Sequence, residues 1–200
     1  MNETKEEILK IAFKLFLAKG YENVSMSEVA KRSGISKGGL YHHFPSKDKL
    51  YEETLENYFF FYFEHFNNIE LNDKETSVKE KIRRLCDEYI KPFQDISKIL
   101  DEEHQNYHYY LLLIQSAQKY AKLRDQFQRF SKWVESYLDR ILRQGKDNKE
   151  ITANVNTTLM AKHILFLLEG TAFASLFESY KTLKINYERI FSQLLNTILI

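Results

Sequence analysis

The stretch from Ser25 to Lys49, SMSEVAKRSGISKGGLYHHFPSKDK, leaves the N-terminal part of this chain little choice of fold. Ser25 and Glu28 make a capping box, Val29 and Ala30 give the following helix an inward face, and Gly34 can take the left-handed conformation that ends it. Ser36 can cap a third helix in which Leu40 and Phe44 face inward while Lys37, Tyr41, His42 or His43 stay outside. Pro45 stops that helix, because the residue before a proline is pushed out of the α region, and Ser46 can cap a fourth starting at Lys47. Helix, glycine turn and helix together read as a helix-turn-helix. Ahead of it, Thr4 to Lys19 carries Ile8, Leu9, Ile11, Ala12, Leu15 and Phe16 on one stripe, with a Thr4–Glu7 capping box and Gly20 as its stop.

The rest of the chain keeps helical spacing. A helix from Lys47 to about Phe66 is loaded with aromatics, and a polar loop follows over Asn68 to Ser77. Val78, Ile82, Leu85, Cys86, Tyr89 and Ile90 then form a stripe that Pro92 is expected to break or kink, leaving a short helix over 96–100. A long helix is predicted from about Glu102 to Tyr120. Another spans Lys122 to Gln144, its apolar residues Leu123, Phe127, Phe130, Val134, Tyr137 and Ile141 alternating steps of four and three, with Gly145 ending it. Asn156 can cap a helix from Thr157 to about Tyr180, in which Ala161, Gly170 and Ala174 allow another helix to approach closely, so that burial on two sides is expected. A last helix covers Asn186 to Ile200. With 6 Gly and 2 Pro in 200 residues and 44% hydrophobic residues, the composition supports an all-α chain. The organisation expected is a three-helix helix-turn-helix domain over 1–47 and a larger helical domain over 48–200.

The formal charge of +1 conceals an asymmetry: residues 1–50 hold nine Lys/Arg against six Asp/Glu, so the head is basic and the remainder slightly acidic. That balance suits a head that touches nucleic acid. The single cysteine, Cys86, excludes an intramolecular disulfide and the multi-cysteine zinc patterns, and its setting in IRRLCDEYI reads as a small buried side chain more than a reactive thiol. The start has no apolar signal core and no apolar run approaches the ~20 residues of a membrane span, which points to a cytoplasmic protein without membrane partners.

Residues 4–50 resemble the DNA-binding domain of the TetR family of bacterial transcriptional repressors. The resemblance rests on the I-x-x-x-A-x-x-L-F run of Ile8–Phe16, on Gly20–Tyr21, and on the S-x-x-x-V-A-x-x-x-G-I-S-K-G-x-L-Y-x-H-F-x-S-K-x-x-L pattern of Ser25–Leu50, matched without gaps. It implies that Lys37 reaches base edges, that Tyr41 and His42 hold phosphates, and that Lys47 clamps the backbone. The residues agree with that implication. The start of the third helix near Ser36 offers free N–H groups to a phosphate, Lys37 adds a charge beside it, and Gly38 and Gly39 let backbone and DNA come close. The chain departs from the family pattern at Gly39, where a hydroxyl residue is common, which removes one possible contact and lowers helix propensity there.

Beyond residue 50 the resemblance is one of architecture. It implies that the helices over 122–144 and 157–180 form a four-helix interface with a second copy, for which Phe127, Phe130, Val134, Tyr137, Ile141, Leu167, Gly170, Ala174 and Phe177 are the candidates; packing within one chain is the other reading of the same seam. Family members commonly hold a small ligand among the middle helices, and here Tyr62, Phe66, Tyr89, His104, Tyr107, His108, Gln115, Phe166 and Phe173 are the candidates for a lipophilic or aromatic effector, while the same aromatics are also what an ordinary core would use. His104 and His108 stand four apart on one helix, but without further ligands they define no metal site, and no cofactor is expected. There is no glycine-rich phosphate loop, nucleophile elbow or metal set, so the chain is not expected to be an enzyme. The expected function is that of a homodimeric, ligand-released repressor on a pseudo-palindromic operator; a DNA-binding regulator answering to a protein, or to no ligand, is the alternative.

Overall fold

The computed structural model describes residues 3–60, 76–100 and 106–200, and these form nine helices. They are α1 (Glu3–Lys19), α2 (Met26–Arg32), α3 (Lys37–His43), α4 (Lys47–Leu55), α5 (Val78–Leu100), α6 (Asn106–Lys119), α7 (Ala121–Asp147), α8 (Thr157–Ala174) and α9 (Tyr180–Ile198). A π-helical turn over Glu56–Phe60 continues α4. Among the described residues the only extended pairing is an isolated antiparallel bridge between Ile151 and Leu199, and the all-α expectation holds. The aromatic run beyond Phe60, most of the loop at 68–77, and the candidates Tyr62, Phe66 and His104 lie outside the described residues. None of the helices among them is long and apolar enough to cross a membrane.

The chain divides into two compact units. Helices α1–α4 group with α6 from Tyr107 and with the first residues of α7 to Arg124; α5, the remainder of α7, α8 and α9 make the other unit. In the first, Ile8, Leu9, Ala12, Phe13, Leu15, Phe16 and Leu17 of α1 are buried, against Val29, Leu40, Phe44, Leu50, Tyr51 and Leu55 of the following helices. Fully burying each such side chain stabilises the unit by roughly 1.5–3 kcal/mol. α1 already contains Thr4, so the capping box predicted for Thr4 and Glu7 does not mark its start.

In the second unit four boundaries differ from expectation, one of them the end of α8, which falls at Ala174 and not at about Tyr180. α5 runs unbroken through Pro92. The proline removes one hydrogen bond and costs about 3 kcal/mol, yet Tyr89, Ile90, Phe93 and Ile96 on both sides of it are buried on one face, and together they outweigh that cost. α7 does not stop at Gly145 but continues to Asp147, and the chain reverses at Lys149, whose φ is +60°. α9 starts at Tyr180, capped by the Ser179 hydroxyl, six residues before the predicted start. Gly145 has a different task from ending a helix: a Cβ there would stand 2.5 Å from Val78 Cγ2 and 3.0 Å from Ile151 Cδ1. Its bareness lets the start of α5 and the segment after α7 pack onto it.

Gly145→Ala should therefore destabilise the second unit by about 1–3 kcal/mol through overpacking, although alanine is the better helix former. Urea denaturation reads this directly, and an equal or higher midpoint would remove the packing role of Gly145.

Candidate nucleic-acid interface and the residues that hold it

The helix-turn-helix is shaped by the devices its sequence announces. Ser25 Oγ accepts the Glu28 N–H at 3.1 Å and caps α2. Gly34 takes φ +67°, and the Ile35 N–H returns to the Ala30 carbonyl at 3.1 Å. Ser36 Oγ accepts the Gly39 N–H at 3.0 Å and caps α3, while Ser46 Oγ accepts from Lys49 at the start of α4. Leu40 and Phe44 seat α3 in the core with no exposed surface, and the Lys5 ammonium lies 5.4 Å above the Phe44 ring.

What remains outside is the set Ser36, Lys37, Gly38, Tyr41 and His42, all exposed, with Gly39 half-buried behind Ser36. Gly38 has helical backbone and nothing within 4 Å of where a Cβ would be; at Gly39 the nearest atom is Ser36 Oγ at 3.3 Å. Neither glycine is required by a left-handed turn or by close packing inside the chain, although each weakens a seven-residue helix by roughly 0.8–1 kcal/mol against alanine. Their bareness leaves the backbone at the start of α3 uncovered by side chains.

Lys47 is more constrained than a free phosphate clamp. It is half-buried, its ammonium donates to the Glu22 carbonyl at 3.2 Å, and it lies 4.2 Å over the Tyr21 ring. The other face of that cluster belongs to α6: Lys119 lies 3.8 Å from the Tyr21 ring centroid and ion-pairs with Asp48, and the Tyr21 hydroxyl donates to Asp48 at 2.7 Å. The hydrogen bond from Lys119, followed by that from Tyr21, holds the Asp48 carboxyl below its ordinary range. Beneath, the Tyr51 and Ser116 hydroxyls share a buried hydrogen bond of 2.7 Å, and Tyr51 packs on Phe16, Tyr21 and Tyr120. Neither this knot nor the role of α6 in it was legible from spacing, because its halves stand about seventy residues apart in the chain.

The effector candidates fall into both units. Tyr107, His108 and Gln115 belong to the first and Tyr89, Phe166 and Phe173 to the second. His108 is buried beside Tyr107 with ring centroids 4.0 Å apart. Gln115 packs at the end of α1, its side-chain amide 3.1 Å from where a Cβ on Gly20 would be. Tyr89 is buried, stacks on Phe130 at 5.9 Å, and its hydroxyl donates to Glu169; burial raises the Glu169 carboxyl above its ordinary range despite that bond. Phe166 and Phe173 are 68% and 63% exposed, on the outer face of α8.

The interface candidates separate in the same way. Phe130, Val134, Tyr137 and Ile141 are buried within the chain, while Phe127 and Leu167 are half-buried. On α8, Gly170 and Ala174 are exposed, and so is Phe177, at 78%, in the turn that follows it; with Phe166 and Phe173 they leave an exposed apolar face at the end of the helix. Within this single chain the helix is buried on one side, through Ile164, Leu165, Leu168 and Ala172. Among the described residues no group of three or more His, Cys, Asp or Glu side chains could hold a metal ion.

Known proteins bring these observations together. Residues 8–54 match the family described as bacterial regulatory proteins, tetR family. The chain is similar to an uncharacterized HTH-type transcriptional regulator of Bacillus subtilis, YerO, at 35% identity over 95 residues, which is 48% of this chain and 33% of that protein. It is also similar to the IcaR negative transcriptional regulator of a biofilm operon in Staphylococcus aureus, at 26% identity over 68% of this chain and 69% of that one. The fold as a whole follows that of a TetR transcription regulator from Haloarcula marismortui, with a TM-score of 0.68 over the full length of both chains at 18% identity.

Two measurements check the internal arrangement. Tyr51→Phe leaves the buried Ser116 hydroxyl without its partner and should cost about 1–2 kcal/mol in urea unfolding, with Tyr51→Phe/Ser116→Ala costing less than the sum of the single changes. Because its folded pKa is raised, Glu169 favours the folded state when protonated, and that contribution is lost as pH rises through the raised value. Glu169→Gln should therefore gain stability over the wild type at neutral pH, with the gain shrinking below the ordinary value of 4.5; a pH-independent difference would remove this account.

Proposed function

We propose that this chain, whose N-terminal domain belongs to the tetR family of bacterial regulatory proteins, is a DNA-binding transcriptional regulator that acts as a repressor. It binds a pseudo-palindromic operator as a homodimer and releases it when a small lipophilic or aromatic effector binds. The observation that carries the reading is the surface left by the helix-turn-helix. Lys37, Tyr41 and His42 stand outward on α3 beside two glycines that serve no purpose inside the chain.

In this reading the α3 N-terminus enters the major groove, Lys37 contacts base edges, Tyr41 and His42 take phosphates, and Lys47 meets the backbone from its seat on Tyr21. Two heads ~34 Å apart read successive grooves, which one head does only weakly. The second copy docks on the exposed face at the end of α8, through Phe166, Gly170, Phe173 and Ala174, and on Phe177 in the turn after it; a contiguous apolar face of this kind marks an interface. The effector favours a body conformation in which the helix from Lys47 sets the heads at the wrong spacing, with a coupling of ~1–3 kcal/mol.

Operator fragments recovered by selection from genomic DNA supply the assay. Lys37→Ala should weaken binding at least tenfold and Gly38→Ala should weaken it while raising thermal stability; unchanged affinity in both would overturn the assignment of α3 as the reader. Phe173→Asp/Phe177→Asp, at two exposed positions, should keep the helical content, sediment as a monomer and lose at least a hundredfold in operator affinity. A persistent dimer would move the interface elsewhere.

A further inference from the structure

A cleft between α5 and α9 has no part in the reading above. It encloses about 190 Å³, and its floor is apolar: Ile82, Cys86 and Ile90 from α5, with Tyr187, Phe191 and Leu195 from α9. The two helices run in opposite directions. The start of α5 and the end of α9 both lie beside Ile151, since Val78 and Ile151 close around Gly145 and Ile151 bridges Leu199. From Ile82 to Ile90 the floor is about 12 Å long at the helical rise.

The charges on the rim are not equivalent. Arg83 is neutralised by Glu80 at 2.8 Å and Asp87 at 3.2 Å, and Glu188 lies near enough to add to its stabilisation. Lys184 stands one helical turn from Glu188, at the end of the cleft that also holds Asp87. Lys79, at the opposite end, lines the cleft with no ion-pair partner among the described residues. Ser192 adds an exposed hydroxyl on the α9 rim. Among the described residues neither Lys79 nor Lys184 is in an ion pair, but Lys184 shares its end of the short apolar trough with Asp87 and Glu188, while no lining carboxylate stands at the Lys79 end.

We propose that this cleft binds a linear lipophilic carboxylate, its head on Lys79 and Ser192 and its alkyl chain over Ile82, Cys86, Phe191 and Tyr187. Water in such a trough finds few polar partners, so an alkyl chain displaces it favourably. The Lys79 ammonium pairs with the head while its stem covers apolar wall. A cationic amphiphile is disfavoured because it leaves Lys79 uncompensated.

The test uses decanoate as the probe and the full chain in isothermal titration calorimetry, with 1-decanol and decyltrimethylammonium as comparators. Decanoate should bind the wild type at least tenfold more tightly than either comparator. Lys79→Gln should weaken it at least tenfold, Lys184→Gln should leave it within about twofold, and Ser192→Trp, an exposed position that fills the trough from its rim, should abolish it. Absence of binding, equal binding of the three probes, equal loss at both lysines, or undiminished binding by Ser192→Trp would each overturn the proposal. Operator affinity of the ligand-free Lys79→Gln and Ser192→Trp proteins should equal that of the wild type, so a failure here leaves the DNA-binding reading standing and can be told from a failure of it.

Discussion

The hydrogen bond between Tyr51 and Ser116 is what makes α6 part of the N-terminal unit. Tyr51 is a large, fully buried side chain whose hydroxyl would be costly to leave unpaired, and Ser116 is itself buried. Around this bond the aromatic rings of Phe16, Tyr21 and Tyr120 gather, and above it Asp48 draws in Lys119 and the Tyr21 hydroxyl. The surface ion pair adds little by itself; its value lies in fixing where α4 begins. Lys47, the residue proposed to meet the DNA backbone, lies over the Tyr21 ring on which Lys119 of α6 also packs.

The same logic separates the two apolar faces of the second unit. α7 and α8 both present stripes at helical spacing, yet Val134, Tyr137 and Ile141 are buried in the chain while Phe166, Phe173 and Phe177 remain exposed. Exposed phenylalanines of this size, in register with Gly170 and Ala174, form a surface on which another helix can lie close. On this division Phe166 and Phe173 join the proposed dimer surface.

Much of the head could be read before any coordinates. The caps at Ser25, Ser36 and Ser46, the turn at Gly34, and the inward Leu40 and Phe44 all depend on interactions within about four residues, and they form as expected. The failures follow one pattern. Pro92 and Gly145 are local stop signals that burial overrode, because several buried side chains outweigh one missing hydrogen bond and because a bare α-carbon was needed for packing. The grouping of α6 with α1–α4 likewise rests on contacts that no local spacing encodes.

The amino-acid sequence by itself determined the helical class, the helix-turn-helix, and which side chains of α3 point outward, because capping, turn conformation and helical periodicity act over a few residues. Only the tertiary structure decided which apolar stripe is core and which is surface, that Gln115 fills the corner at Gly20, that Lys47 is seated on Tyr21, and that α5 and α9 leave a cleft with Lys79 at its end. Periodicity says that a helix has an apolar face. What covers that face is settled by packing among segments far apart in the chain.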